Sequence, residues 1–347
     1  MNFTQKITNW YSVNKRDLPW RKTNNPYHVW LSEIILQQTQ VKQGLPYYED
    51  FVKTFPTVED LANAPQEQVL KLWQGLGYYS RARNLHETAQ FIVNELNGVF
   101  PSNYTDLLKL KGVGEYTASA IASICFNESK AVVDGNVYRV LSRFFGIDLP
   151  INSTEGIKEF KKLAQSLIDH KQPGNYNQGI MEFGAIQCKP QNPDCEICPL
   201  NTGCVALQQK LVETLPVKLK KTKLEIKYFN FLVFISNDRK TIFEKRDAKG
   251  IWHNLYQFPL IETEKPANLQ QIESSKLLKE YAGSDLYEII SYNEESIIHK
   301  LTHRHLHTKF WIVEVNQLPA LSIPFESVKL YPTPRLISRF LETFKVI

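Results

Sequence analysis

Leu110-Lys111-Gly112-Val113-Gly114 is the stretch on which the reading of this chain turns. Apolar residues recur at helical spacing on both sides of it, over 104–110 and again over 115–126. Two glycines in so short a turn let a backbone approach a ligand closely. The second helix would then offer free N–H groups and its positive dipole end, a natural site for a phosphate. A plain helix–helix turn would use the same residues with no ligand at all.

Working outward, Asp134 stands 20 residues beyond Gly114, in Val132-Val133-Asp134-Gly135-Asn136-Val137. It reads as the N-cap of a helix running on to Phe145. It also reads as a catalytic carboxylate, because amide donors at a helix start would keep it ionised. Further on, Cys188, Cys195, Cys198 and Cys204 form a C-x6-C-x2-C-x5-C run in a proline-containing stretch. Four thiolates close one coordination sphere. A zinc site usually shows two short pairs, whereas this run has one, so a structural [4Fe–4S] cluster is the expectation and zinc the alternative. Cys125 sits apart and reads as a core thiol.

The 347 residues suggest two domains, and 43% hydrophobic with 12% aromatic residues supplies ample core. The net charge of +5 suits a nucleic-acid partner without requiring one. The first residues are polar and charged, with no apolar leader run, and no stretch of 18 apolar residues marks a membrane span. A cytoplasmic protein is therefore expected, and in that reducing compartment clustered cysteines read as metal ligands rather than disulfides.

Residues 1–205 read as helical throughout, with Asn25-Pro26 as one legible helix start. Residues 206–225 read as a basic linker, with Lys218, Lys220, Lys221 and Lys223 either tracking phosphates or forming a solvated tether. Beyond it the pattern changes to β-branched and aromatic runs over 228–235, 241–245, 299–307 and 309–315, with a helix over 267–282 stopped by Gly283. Residues 226–347 are thus expected to form a separate α+β domain. His303, His305 and His307 alternate, which would put all three on one face of a strand.

This combination resembles the helix–hairpin–helix glycosylase superfamily and, within it, the MutY family of adenine DNA glycosylases. The likeness is carried by Leu18-Pro19-Trp20-Arg21, by Val29-Trp30-Leu31-Ser32-Glu33-Ile34-Ile35-Leu36-Gln37-Gln38-Thr39, and by Gly75-Leu76-Gly77-Tyr78-Tyr79-Ser80-Arg81-Ala82-Arg83. The hairpin, Val133-Asp134-Gly135-Asn136 and the four cysteines complete it. The resemblance implies two helical lobes with a [4Fe–4S] loop, followed by an α+β Nudix-like domain. It implies base-excision repair: adenine mispaired with 8-oxoguanine, or with G, is flipped out of double-stranded DNA and its N-glycosidic bond hydrolysed.

By the same resemblance, Glu33 is the general acid on adenine N7 and Asp134 stabilises the oxocarbenium-like sugar, supported by Asn136. Tyr116 stands where related bifunctional enzymes carry a lysine, and a tyrosine cannot form a Schiff base. Gln38 and Tyr78 resemble residues that enter the duplex at the lesion, assisted by Leu36 and Gln37. Trp20, Arg21, Trp30 and Glu182 are candidates to line the adenine pocket, while Lys111, Gly112, Val113 and Gly114 would meet the DNA backbone. In the C-terminal domain, Leu301-Thr302-His303 matches a family Phe-Ser-His turn that reads 8-oxoguanine, with Thr302 keeping the needed hydroxyl. No Nudix acidic box follows Pro259, so this domain is expected to bind rather than hydrolyse. A monomer is expected, nucleoid-associated in a bacterium, with a sliding clamp as a candidate partner and no membrane. The competing readings are an endonuclease III-like bifunctional enzyme on oxidised pyrimidines, a non-enzymatic damage binder, and a Nudix-type nucleotide hydrolase. Tyr116, the pairing of Glu33 with Asp134, and the missing acidic box argue against them in turn.

Overall fold

The computed structural model describes residues 1–219, 224–283 and 287–344. The chain divides into two compact units, Met1–Ala64 with Arg83–Lys220, and Pro65–Ala82 with Lys221–Ile347. The expected boundary at 205 therefore moves, and residues 65–82 belong with the C-terminal unit.

The N-terminal unit is helical. Its core gathers Phe3, Ile7, Val137, Leu141, Phe160, Tyr176 and Phe183, all buried. Helix Pro26–Leu36 starts where the sequence predicts, with the Asn25 side chain accepting from the Tyr27 amide at 2.9 Å. Helices Glu115–Phe126 and Gly135–Phe145 also match expectation, the second capped by Asp134. The helix before the hairpin is shorter, Tyr104–Leu107, and tight turns carry the chain on to Gly112.

The stretch read as a linker is not a free tether over its first part. Leu215 O accepts from Arg143 Nε at 3.1 Å, Val217 O accepts from the Ile151 amide at 3.0 Å, and the Leu219 amide donates to Asn152 at 2.8 Å. These bonds bind residues 206–219 to the N-terminal unit. Lys220, Lys221 and Lys223 lie outside the described residues.

The C-terminal unit is built on a five-stranded sheet. Its two long strands, Glu225–Ser236 and Arg304–Val315, run parallel and in full register at the centre. Leu260–Thr263 pairs antiparallel with the first, while Ile297–Lys300 and Glu288–Ser291 share the far edge of the second. Helices Leu269–Glu273 and Lys276–Ala282 cover one face over Leu232, Phe234, Trp311 and Val313. The single helix expected over 267–282 is thus two, the second closed by Gly283 with φ of 63°. The expected strand over 299–307 is broken as well. Leu301 N donates to Arg304 O at 2.7 Å, which makes Thr302-His303 the tip of a two-residue hairpin. His303 therefore leaves the strand that carries His305 and His307, and the three do not share a face. The tip lacks the Gly or Asn that marks such turns, so the β-rich pattern hid it.

Candidate active site

Helix Pro26–Leu36 is buried over most of its length and delivers Glu33, only 9% exposed, into the interior of the N-terminal unit. Helix Glu115–Phe126 brings Tyr116, whose hydroxyl hydrogen-bonds Glu33 and also lies 3.1 Å from Met181 Sδ. The start of helix Gly135–Phe145 brings Asp134. Burial pushes the Glu33 carboxyl up to about 7; the Tyr116 hydrogen bond opposes this and the nearby Asp134 charge adds to it.

Asp134 is held by four groups. Its Oδ1 accepts from the amides of Asn136 at 2.9 Å and Val137 at 2.8 Å, and its Oδ2 from Asn136 Nδ2 at 2.8 Å. Arg139 adds a positive charge nearby. Burial still outweighs these donors and leaves the carboxyl above its ordinary value. Asn136 is fixed in turn, its Oδ1 accepting from Arg139 Nη2 at 3.0 Å. The same guanidinium donates to Gly184 O at 2.6 Å and to Cys188 O at 2.8 Å. A Cβ on Gly184 would stand 2.6 Å from Asn136 Cβ, so only glycine permits this close packing.

Glu33, Leu36, Tyr116 and Asp134 form a wall shared by two cavities. The larger, about 890 Å³, also takes in Gln37, Gln38 and Gly114. The smaller, about 180 Å³, is lined by Trp20, Arg21, Asn136 and Glu182. Glu182 is 1% exposed and clasped by two guanidiniums, with Arg16 at 2.6 and 2.7 Å and Arg21 at 2.7 and 2.9 Å. Although burial resists ionisation, these partners hold its carboxyl down at about 2. Trp30 is not on either wall. It is fully buried against Phe100 and Tyr27, and its indole N–H has no partner among the described residues. Its place one turn before Glu33 on the same helix hid this, because the Trp30 ring packs against Phe100 and Tyr27 rather than lining a cavity.

The hairpin divides its own residues. Gly112 has φ of 76° and packs on Asn84, Val113 is buried, and nothing stands over Gly114. Lys111 is exposed and paired at 2.5 Å with Glu87. In the C-terminal unit, Gly75, Gly77 and Tyr78 all have positive φ, a turn that throws the Tyr78 ring outward beneath the Arg81 guanidinium. The Tyr78 and Thr302 hydroxyls are 2.5 Å apart, and His303 is exposed beside them.

Cys188, Cys195, Cys198 and Cys204 line one apolar cavity, with Val140, Phe144 and Leu200. Arg143 braces the loop, donating to Lys189 O at 2.7 Å and Pro190 O at 3.0 Å and lying 3.5 Å from Cys188 Sγ. Four thiols around an apolar space, with a cation against one sulfur, suit an iron–sulfur cluster. Arg16, Arg139, Arg143 and Gly184 were not singled out in the sequence. Only the spacing of Arg139, three residues beyond Asn136 on one helix face, could have flagged one of them.

Residues 31–166 match the HhH-GPD superfamily of base excision DNA repair proteins. Residues 188–204 match the iron–sulfur binding domain of endonuclease III, and residues 230–343 match a NUDIX domain. The adenine DNA glycosylase of Buchnera aphidicola subsp. Acyrthosiphon pisum is 33% identical, covering 99% of this chain and 97% of that one. The chain belongs to the adenine DNA glycosylases. The corresponding glycosylase of the Schizaphis graminum symbiont is 36% identical over 88% and 85% of the two chains, and the human one is 46% identical over 60% and 40%. Among solved structures, a thermostable thymine-DNA glycosylase is similar at a TM-score of 0.56 and 32% identity, covering 60% of this chain and 95% of that one. A non-covalent endonuclease III–DNA complex shares the fold at 0.52 and 22% identity over 60% and 94% of the chains. As an adenine DNA glycosylase, the chain is a base-excision enzyme and carries a [4Fe–4S] cluster. No described helix is long and apolar enough to cross a membrane.

Proposed function

We propose that this enzyme removes adenine paired with 8-oxoguanine, and with G, from double-stranded DNA, and that it is monofunctional. The observation that carries the reading is the wall shared by the two cavities. A flipped adenine in the smaller one brings its sugar to Glu33 and Asp134, and the rest of the strand has the larger one. The smaller volume suits a single base better than a whole nucleotide.

Glu33, with its carboxyl near 7, holds a proton at working pH and delivers it to adenine N7 as the bond to the sugar breaks. Asp134, with three hydrogen-bond donors where Glu33 has one hydroxyl, is the better anion of the two and steadies the positive charge growing on the sugar. Asn136 orients it. Trp20 and Arg21 contact the base, and Glu182 serves it indirectly by fixing Arg21. Tyr116 offers no amine, so no Schiff base forms at the sugar carbon and the strand is not cut through one. Gln38, with Leu36 and Gln37 behind it, enters the stack, and the amides of the hairpin receive a phosphate. Tyr78, Thr302 and His303 read the base opposite. Cys188, Cys195, Cys198 and Cys204 hold the cluster, which gives their loop a rigid centre. Residues 226–347 work as the lesion-reading domain.

The test is a labelled duplex carrying one 8-oxoguanine:A pair, with 8-oxoguanine:C and thymine glycol duplexes alongside. Breakage of the A strand only after alkali is the expected result. Cutting at thymine glycol without alkali, and none at adenine, would transfer the enzyme to the bifunctional class.

A further inference from the structure

The larger cavity is lined by groups of both charges. Glu33 and Asp134 line it, and so do Lys130, Lys161 and Lys162, with Lys130 beside Tyr104. The lysines come from separate parts of the chain. Lys130 follows helix Glu115–Phe126, while Lys161 and Lys162 lie on helix Thr154–Leu167. Lys130 Nζ sits 4.7 Å from the centre of the Tyr104 ring, Lys161 Nζ is paired with the Glu115 carboxylate, and Lys162 is exposed. Three ammonium groups stand near two carboxylates, Glu115 and Glu128, the latter accepting from the Tyr104 amide at 2.6 Å, so this region keeps one surplus positive charge that proton delivery and sugar stabilisation do not use.

We propose that Lys130, Lys161 and Lys162 form a phosphate subsite that grips the backbone of the strand losing its base, and that Glu115 is a competing anion which yields Lys161 when the phosphate arrives. The proposal rests on the reading of the larger cavity given above. A nucleotide drawn into such a cavity meets carboxylates where its sugar turns cationic and ammonium groups where its phosphates are anionic, so both kinds of group attract it. Lysine suits the task, since it meets phosphate as a mobile point charge and can change partners without re-forming a planar fork. The Glu115 pairing keeps Lys161 in place in the free protein, and its loss on binding is compensated by the incoming phosphate.

The experiment uses the full chain as Glu33→Gln, which binds without turnover, and a fluorescein-labelled duplex bearing one 8-oxoguanine:A pair. Affinity is measured by anisotropy across a series of potassium chloride concentrations. Each phosphate contact contributes about 0.9 to the slope of log affinity against log salt. Adding Lys161→Ala and Lys162→Ala together is expected to flatten that slope by about 1.8. The double lysine-to-arginine variant is expected to restore it, and Glu115→Gln to tighten binding several-fold at low salt. A slope unchanged by the alanine pair overturns the subsite, as does Glu115→Gln binding no tighter than its parent. Should the parent bind the lesion duplex no better than an undamaged one, the functional reading fails, and the slope comparison on the undamaged duplex still decides the lysines.

Discussion

The Tyr78 hydroxyl lies 2.5 Å from the Thr302 hydroxyl, joining the glycine turn at 75–78 to the hairpin tip at 302–303 within one unit. A hydroxyl has one proton and two lone pairs. If Tyr78 donates, Thr302 keeps its own proton for an outside acceptor, and the pair polarises that proton further. Tyr78→Phe keeps the ring and removes the bond. The preference for 8-oxoguanine:A over G:A should fall about 5- to 10-fold, the value of one neutral hydrogen bond. Thr302→Val should do the same, and the double variant should add little. Single-turnover rates on both duplexes measure this, and fully additive losses would show that the two hydroxyls act separately.

The acid role proposed for Glu33 ties activity to pH. Its carboxyl is raised to about 7, so the protonated form that the proposed role requires predominates below that value and declines about tenfold per pH unit well above it. The single-turnover rate should therefore fall on the alkaline side with a midpoint near 7, and a flat profile to pH 9 would remove Glu33 from the acid role. Stability carries the same sign. The folded protein binds a proton between the unfolded value of 4.5 and about 7 that the unfolded chain has released, so stability drops as pH rises through that window. Glu33→Gln should abolish this drop while abolishing excision.

Glu182 gives the opposite sign. Its carboxyl is held at about 2 by Arg16 and Arg21, so its contribution is complete above the unfolded value and is lost as pH falls towards 2. Glu182→Ala leaves two guanidiniums converging on an empty buried site and should cost about 3 kcal/mol. Denaturant melts at pH 7 check this, and a variant within about 0.5 kcal/mol of the parent would refute it.

Gly184 should be intolerant of a methyl group. The added carbon would meet Asn136 Cβ at 2.6 Å and Asn136 O at 2.9 Å, so the helix carrying Asp134 must shift. Gly184→Ala is expected to slow excision at least tenfold and to cost about 1–3 kcal/mol. Unchanged kinetics would mean that the Asn136 contact is slack.

The parts of this molecule legible in the sequence are those written in local order. The helix starts at Pro26 and Gly135, the left-handed glycines and the cysteine run each declare themselves within a few residues. Glu33 and Asp134 were legible as functional types through family likeness, but their shared wall was not, because it depends on the crossing of helices far apart in the chain. Trp30 misled for the same reason: its neighbours in sequence face the cavity, while its own ring packs against Phe100. The arginines that hold Glu182, Asn136 and the cysteine loop act on carbonyls and carboxylates distant in sequence, and no spacing encodes that. Residues 65–82 joined the C-terminal unit through contacts such as Lys71 Nζ with Lys329 O at 2.5 Å and Tyr256 with Glu67 at 2.6 Å, which only the folded chain reveals.

Arg143 has one further consequence. A single guanidinium holds the carbonyls of Lys189 and Pro190 in the cysteine loop and of Leu215 in the strap that leaves this unit. At Leu215 the strap therefore shares its anchor with the metal loop, while Ile151 and Asn152 hold its later residues. Trypsin should spare the bond after Lys210 in the holoprotein and cut it promptly once iron is stripped, so a gel band becomes a gauge of cluster content that needs neither DNA nor colour.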